Sequence, residues 1–212
     1  MMKRINRSRG ALAAPIILLL LAGLSGCGSM EPLPSDTFYR LRISPTVNAN
    51  SNGQRWTENT IRVAKFRASG VHRERAIVFS ESDQVVIKQH RYHLWFDSPE
   101  RILQDELVSY LRAAGVSPAI SAHELRDNGL EIKGQIRQMD HVIGAEGTSI
   151  VVALALDLVR REPEKSLVLG AEYRESRTIS GNEMGSVAAA ISDAVGVIFE
   201  RFVTDAGDAL RH

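Results

Sequence analysis

Ile150-Val151-Val152-Ala153-Leu154-Ala155-Leu156-Asp157-Leu158-Val159 is the stretch that decides the fold class. At a period of two, Ile150, Val152, Leu154, Leu156 and Leu158 share one face, and Val151, Ala153, Ala155 and Val159 make the opposite face apolar as well. A strand covered on both faces belongs in the middle of a sheet. Glu162-Pro163-Glu164-Lys165 then supplies a turn, and Leu167 to Thr178 returns as the antiparallel neighbour. On the other side, Leu130 to Arg137 alternates apolar or small with polar residues, which predicts a strand with one buried face and one wet face.

Two helices flank this block. Ser98 and Pro99 mark a start, with Ser98 as N-cap and Pro99 at the first helical position, where its missing N–H costs nothing. Ile102, Leu103, Leu107, Leu111 and Ala114 recur at helical spacing before Gly115 ends the run. From about Glu183 to Ala209, Val187, Ile191, Val195, Ile198 and Phe202 form one apolar stripe of a second helix. Gly185 and Gly196 weaken that helix, and close packing on a sheet is the simplest reason for them.

Further strands are expected at 38–43, 61–66, 76–79 and 85–96, with a polar loop over 44–60. Hairpin-like connections would join neighbouring strands. The order strands, helix, strands, helix gives an α+β fold, a largely antiparallel sheet with two amphipathic helices on one face.

The N-terminus carries a different signal. Lys3, Arg4, Arg7 and Arg9 precede an apolar run from Ala11 to Leu24 that is shorter than the ~20 residues of a bilayer-spanning helix. Leu24-Ser25-Gly26-Cys27 resembles the bacterial lipobox, in which the cysteine thiol takes a diacylglycerol and the signal is cut before it. The expected organisation is a signal peptide over 1–26, a lipidated tether over 27–37 and one domain over 38–212. Cys27 is the only cysteine, so an intramolecular disulfide has no second partner. Two or three acyl chains anchor durably where one is marginal. Gly28 and Ser29 lack the aspartate that the resemblance associates with inner-membrane retention, which implies the periplasmic face of the outer membrane.

Removing residues 1–26 takes four basic and no acidic residues, so the mature chain carries a net charge of −3. That is no electrostatic footprint for nucleic acid. Residues three apart in a strand face opposite ways, so His90 and His93 are not expected to share a metal, and His72, His123 and His141 lie in separate polar stretches. Gly-x-Ser-x-Gly, Gly-x-Gly-x-x-Gly and P-loop patterns are missing, and Asp105-Glu106 reads as a solvated helix face. No catalytic residue, metal or cofactor is expected. Period two sets Trp95 against Tyr92, Leu94 and Phe96, so a sheet covered on one side cannot bury them all. Tyr92, Trp95 and Phe96 are therefore candidates either for core packing or for a partner anchor.

Phe38-Tyr39-Arg40-Leu41, Ile61-Arg62-Val63, Arg75-Ala76-Ile77-Val78-Phe79, and Tyr92-His93-Leu94-Trp95 leading into Ser98-Pro99-Glu100-Arg101-Ile102-Leu103 resemble the ABC-type transport auxiliary lipoprotein (PqiC-like) family. The resemblance implies an outer-membrane lipoprotein that is a non-catalytic partner of an MCE-domain protein and its inner-membrane permease complex, which move lipid or other hydrophobic compounds. A homo-oligomeric ring would suit a tubular partner. Direct lipid carriage is the alternative, and a cell-envelope enzyme the weaker third reading.

Overall fold

A computed structural model describes residues 34–44, 55–81, 85–123, 129–145, 147–161 and 164–211. The chain divides into Met1–Pro34 and Ser35–His212, and the fold below is that of the second unit. Its elements are β1 (Thr37–Tyr39), β2 (Ile61–Val63), β3 (Ala76–Glu81), β4 (Ile87–Trp95), α1 (Pro99–Ala114), β5 (Ile120–Ser121), β6 (Leu130–Gly144), β7 (Gly147–Arg160), β8 (Ser166–Ile179) and α2 (Met184–Ala209). They form an α+β fold.

The apolar decamer lies in β7, between β6 and β8, and both ladders are antiparallel. Leu154 stands opposite Ile136 on one side and Tyr173 on the other. Ile150, Val152, Leu154, Leu156 and Leu158 are fully buried and share one core cluster with the α2 stripe Val187, Ile191, Val195, Ile198 and Phe202. Each such side chain contributes roughly 1.5–3 kcal/mol by leaving water. Phe202 meets Trp56 and Tyr173 edge-on, and Tyr110 of α1 meets Phe199 of α2 in the same way. Val151, Ala153 and Val159, on the opposite face of β7, are buried as well.

The alternation expected over 130–137 holds except at its start: Ile132, Gly134 and Ile136 are buried, Lys133 and Gln135 are half-buried and Arg137 is exposed. Glu131 is buried and pairs with Arg62, and the Phe66 ring lies so close over Gly134 that a Cβ there would stand 2.3 Å from it. The segment lying alongside, 61–67, is the cause of both: Arg62 covers Glu131 on the polar face, and Phe66 packs over Gly134 on the buried one.

That segment also overturns the hairpin expectation for β2 and β3, while β3 and β4 do pair antiparallel. β2 and β3 are not paired with each other; both run parallel to β6 along the same edge, β2 at Leu130–Ile132 and β3 at Asp140–Ile143. Between them the Ala64 N–H donates to the Ile132 carbonyl, the Arg67 N–H to Gly134, and the Ile136 N–H to Arg67. A 3-10 turn at Gly70–Arg73 interrupts the line just beyond Arg137, where β6 bulges against β7. The sheet therefore forks. One wing adds β5 outside β2, and the other adds β4 and then β1 outside β3, with β1 parallel to β4. The parallel pairings are short, so the two long ladders keep the sheet largely antiparallel.

Helix α1 bridges the wings. Leu103, Leu107 and Leu111 are fully buried, and the buried Gln104 amide donates to the carbonyls of Val63 and Ala122, tying the helix to the β2–β5 wing. Ser98 stands at the N-cap, but its side chain makes no capping bond; its carbonyl instead accepts from the Arg101 and Ile102 amides. Gly115 closes the helix in the left-handed conformation at φ 67°. Sheet packing does not explain the α2 glycines. Gly185 faces open space, and Gly196 approaches only the Ile43 side chain, at 3.5 Å for an added Cβ.

Candidate functional site

The β4–β1 wing holds the residues that the sequence singled out and sorts them. Trp95 is 1% exposed, inside the core cluster, so it is no partner anchor. Phe96 turns the other way and is 53% exposed. Tyr92 is half-buried, with the Arg91 guanidinium 5.4 Å from its ring centroid. Cys27 and the lipobox residues Leu24, Ser25 and Gly26 lie outside the described residues.

Phe38 of β1 is a site residue that sequence reading missed. It stands in register with Leu94 and is 51% exposed, on the face to which parity also assigns Phe96. The Arg40 guanidinium lies 4.4 Å from the Phe96 centroid, and Arg75 lies 5.2 Å from that of Phe38. Arg75 is held there because its Nε donates to the Trp95 carbonyl and its Nη2 to that of Phe96. Two half-exposed rings, each under a guanidinium, that of Arg75 held by two backbone carbonyls, make a sticky edge. Beside it, Arg40, Leu41, Phe96, Ile102 and Glu106 line a hollow of about 220 Å³. Glu106 is half-buried, not solvated as Asp105 is, and that burial raises its pKa although the Ile43 backbone amide partly offsets it.

On the inner side of the wing, histidines expected to stay apart come together. β4 bulges opposite Ile77, so the register passes from Val78–Gln89 to Ala76–Leu94, and the bulge breaks the parity that would set His90 against His93. Their ring centroids are 5.7 Å apart. His141 stacks on His90, with His90 Nε2 3.3 Å from His141 Nδ1, and the Tyr39 hydroxyl lies 2.9 Å from His93 Nδ1. Burial, then the charges His141 and His93 would carry, pull His90 down to about 4, and burial also lowers His141. On the outer side, His72 Nε2 lies 2.7 Å from the buried carboxylate of Asp140, which also accepts from Gln138. Among the described residues no group of three or more His, Cys, Asp or Glu side chains is placed to hold a metal ion.

No family model and no curated protein matches the chain. Solved structures do match its fold. A Xanthomonas campestris protein of the DUF330 family superposes with a TM-score of 0.67 at 16% identity, over 79% of this chain and 92% of that one. An uncharacterized protein gives 0.64 at 10% identity over 81% and 98%, and a hypothetical protein of Chlamydia trachomatis gives 0.50 at 8% over 73% and 98%. At such identities the likeness is one of fold.

Proposed function

We propose that the mature chain is a lipoprotein, held at the periplasmic face of the outer membrane through Cys27, and a non-catalytic docking subunit of an MCE/ABC-type system that transports lipid or another hydrophobic compound across the envelope. The observation that carries this reading is the Phe38–Phe96 edge. Exposed rings stacked under guanidinium groups are what a protein interface uses as anchors. The family resemblance supplies the partner class, an MCE-domain protein with its permease complex. The fold shared with a DUF330 protein is compatible with it. Direct lipid carriage has less support, because the helix-covered face of the sheet is filled by its own side chains.

The test separates the two neighbouring aromatics. Phe96→Ser is expected to leave thermal stability within about 0.5 kcal/mol and to weaken pull-down of the MCE protein by about 2 kcal/mol or more. Trp95→Ser should instead cost roughly 3–5 kcal/mol of folding stability. Full partner binding by a folded Phe96→Ser protein would move the interface elsewhere.

A further inference from the structure

Among the described residues β8 has one ladder partner, β7, so its far side is an edge of the sheet. The edge strands that end the two wings, β5 and β1, are two and three residues long. Edges that short offer little to pair with, whereas β8 runs for fourteen residues. The usual guards are missing from it. It holds no proline and no lysine, and its one register shift, opposite the step from Leu158 to Val159, leaves 169–179 regular. Such an edge is a template for another strand.

The order of charges along β8 selects the strand that fits. A two-fold axis normal to the sheet sets two copies of β8 side by side and antiparallel, with one residue facing itself across the axis. An axis at Glu172, Arg174, Glu175 or Arg177 places like charges directly opposite each other, which destabilises the pairing. With the axis at Tyr173, Glu172 of each copy faces Arg174 of the other, and both residues are exposed. Arg174 meets the neutral Gln138 amide in its own chain, at 2.9 Å, and Glu172 meets Arg137 only at 3.7 Å. Tyr173 is buried with its hydroxyl donating to Asp205, so only its backbone faces its copy. An axis at Ser176 would oppose Glu175 and Arg177, but those lean onto α2, where Glu175 pairs with Arg201 at 2.8 Å and Arg177 with Asp193 at 4.0 Å, and the overlap shrinks to 173–179.

We propose that two copies of this chain join through β8, antiparallel about a two-fold axis at Tyr173, so that one sheet continues across both. The regular residues 169–177 are then matched along their whole length. The pairing goes beyond the docking reading and leaves it room: β1 and β4 end the sheet on the side away from β8, so each end of the pair presents a Phe38–Phe96 edge.

The test is sedimentation equilibrium of the full-length chain in a density-matched detergent, with Arg174→Glu, Glu172→Arg and the double exchange Glu172→Arg/Arg174→Glu. Both side chains are exposed, so each variant should keep the native circular dichroism. The native chain is expected to show a mass of two copies at high concentration. Either single substitution turns two attractive cross-strand pairs into repulsive ones and should weaken self-association by about tenfold or more, and the double exchange should restore it. A mass of one copy at every concentration, or of more than two, overturns the closed pair. A two-copy mass indifferent to the single substitutions overturns it as well and puts the contact elsewhere. Dissociation by the single substitutions with no recovery in the double exchange overturns the axis at Tyr173.

Discussion

The β6–β7–β8 ladder with α2 and the β3–β4–β1 wing are built on opposite principles. In the first, two long antiparallel ladders, each with a single register shift, pack under a fully buried helix stripe that holds no ionisable group. The wing pairs short strands partly in parallel, breaks its own alternation with a bulge, gathers histidines on one side and exposes phenylalanines on the other. The regular half supplies most of the core, to which the wing adds Ile77 and Trp95 from its inner face, while its outer face is left to carry a surface. The core stripe and the outer face of the wing should consequently respond in opposite ways to truncation.

The largest effect belongs to the ladder half. Phe202→Ala removes a fully buried ring that touches both Trp56 and Tyr173, and should lower unfolding free energy by about 3–5 kcal/mol in a urea titration. Phe38→Ser on the wing should change it by less than about 0.5 kcal/mol. Comparable losses from both would break the division between a stabilising half and a presenting half.

The same contrast explains what could be read in the sequence. The α2 stripe, α1 between Ser98 and Gly115, and the β7–β8 pairing were legible because each repeats its pattern over many residues. The fork was not legible. Ile61–Val63 and Ile120–Ser121 are too short to show a period, and their partner strand is far away in sequence. Expected strands 38–43 and 61–66 shrink to three residues each, while the rest of each segment follows loops and isolated bonds. Parity assigned Trp95 and Phe96 to opposite faces, and that survives; which of them faced the core depended on pairing with β1 and β3. The His90–His93 contact was hidden because a bulge is invisible to a two-residue period. Phe38 and Arg75 are separated by a long interval of sequence, so their stacking had no local signal. The lipobox is a linear motif read from the sequence alone, and it lies outside the described residues.

Acid should act on the wing first. Unfolded histidine takes its proton near 6.5, whereas folded His90 does so only at about 4, so between those values the unfolded state binds more protons. Stability contributed by neutral His90 is complete above about pH 6.5, falls as pH drops through that window and levels off below about 4. The loss should be roughly 1–2 kcal/mol after allowing for partial exposure, with His141 acting in the same direction. Urea midpoints measured across this range should decline for the native chain and flatten for His90→Gln. An undiminished decline in His90→Gln would assign the acid sensitivity to another group and remove the contrast in titration between wing and ladder.

The smallest effect tests whether the ladder half is optimised throughout. Gly185 is exposed near the start of α2, and a Cβ there meets nothing within 4 Å, so its glycine satisfies no contact of the fold. Alanine forms helix better than glycine by up to ~1 kcal/mol in a helix interior, partly because it restricts the unfolded chain. Near a helix end the gain should be about 0.5 kcal/mol, seen as a rise in the thermal midpoint of Gly185→Ala. Gly196→Ala places its methyl at ordinary contact distance from Ile43 and should gain as much or slightly less. A stabilised Gly185→Ala protein with normal partner binding marks the glycine as a neutral imperfection in the regular half. If that variant is stabilised but loses its partner, the small residue is there for close approach of another chain, and the presenting surface extends beyond the wing onto α2.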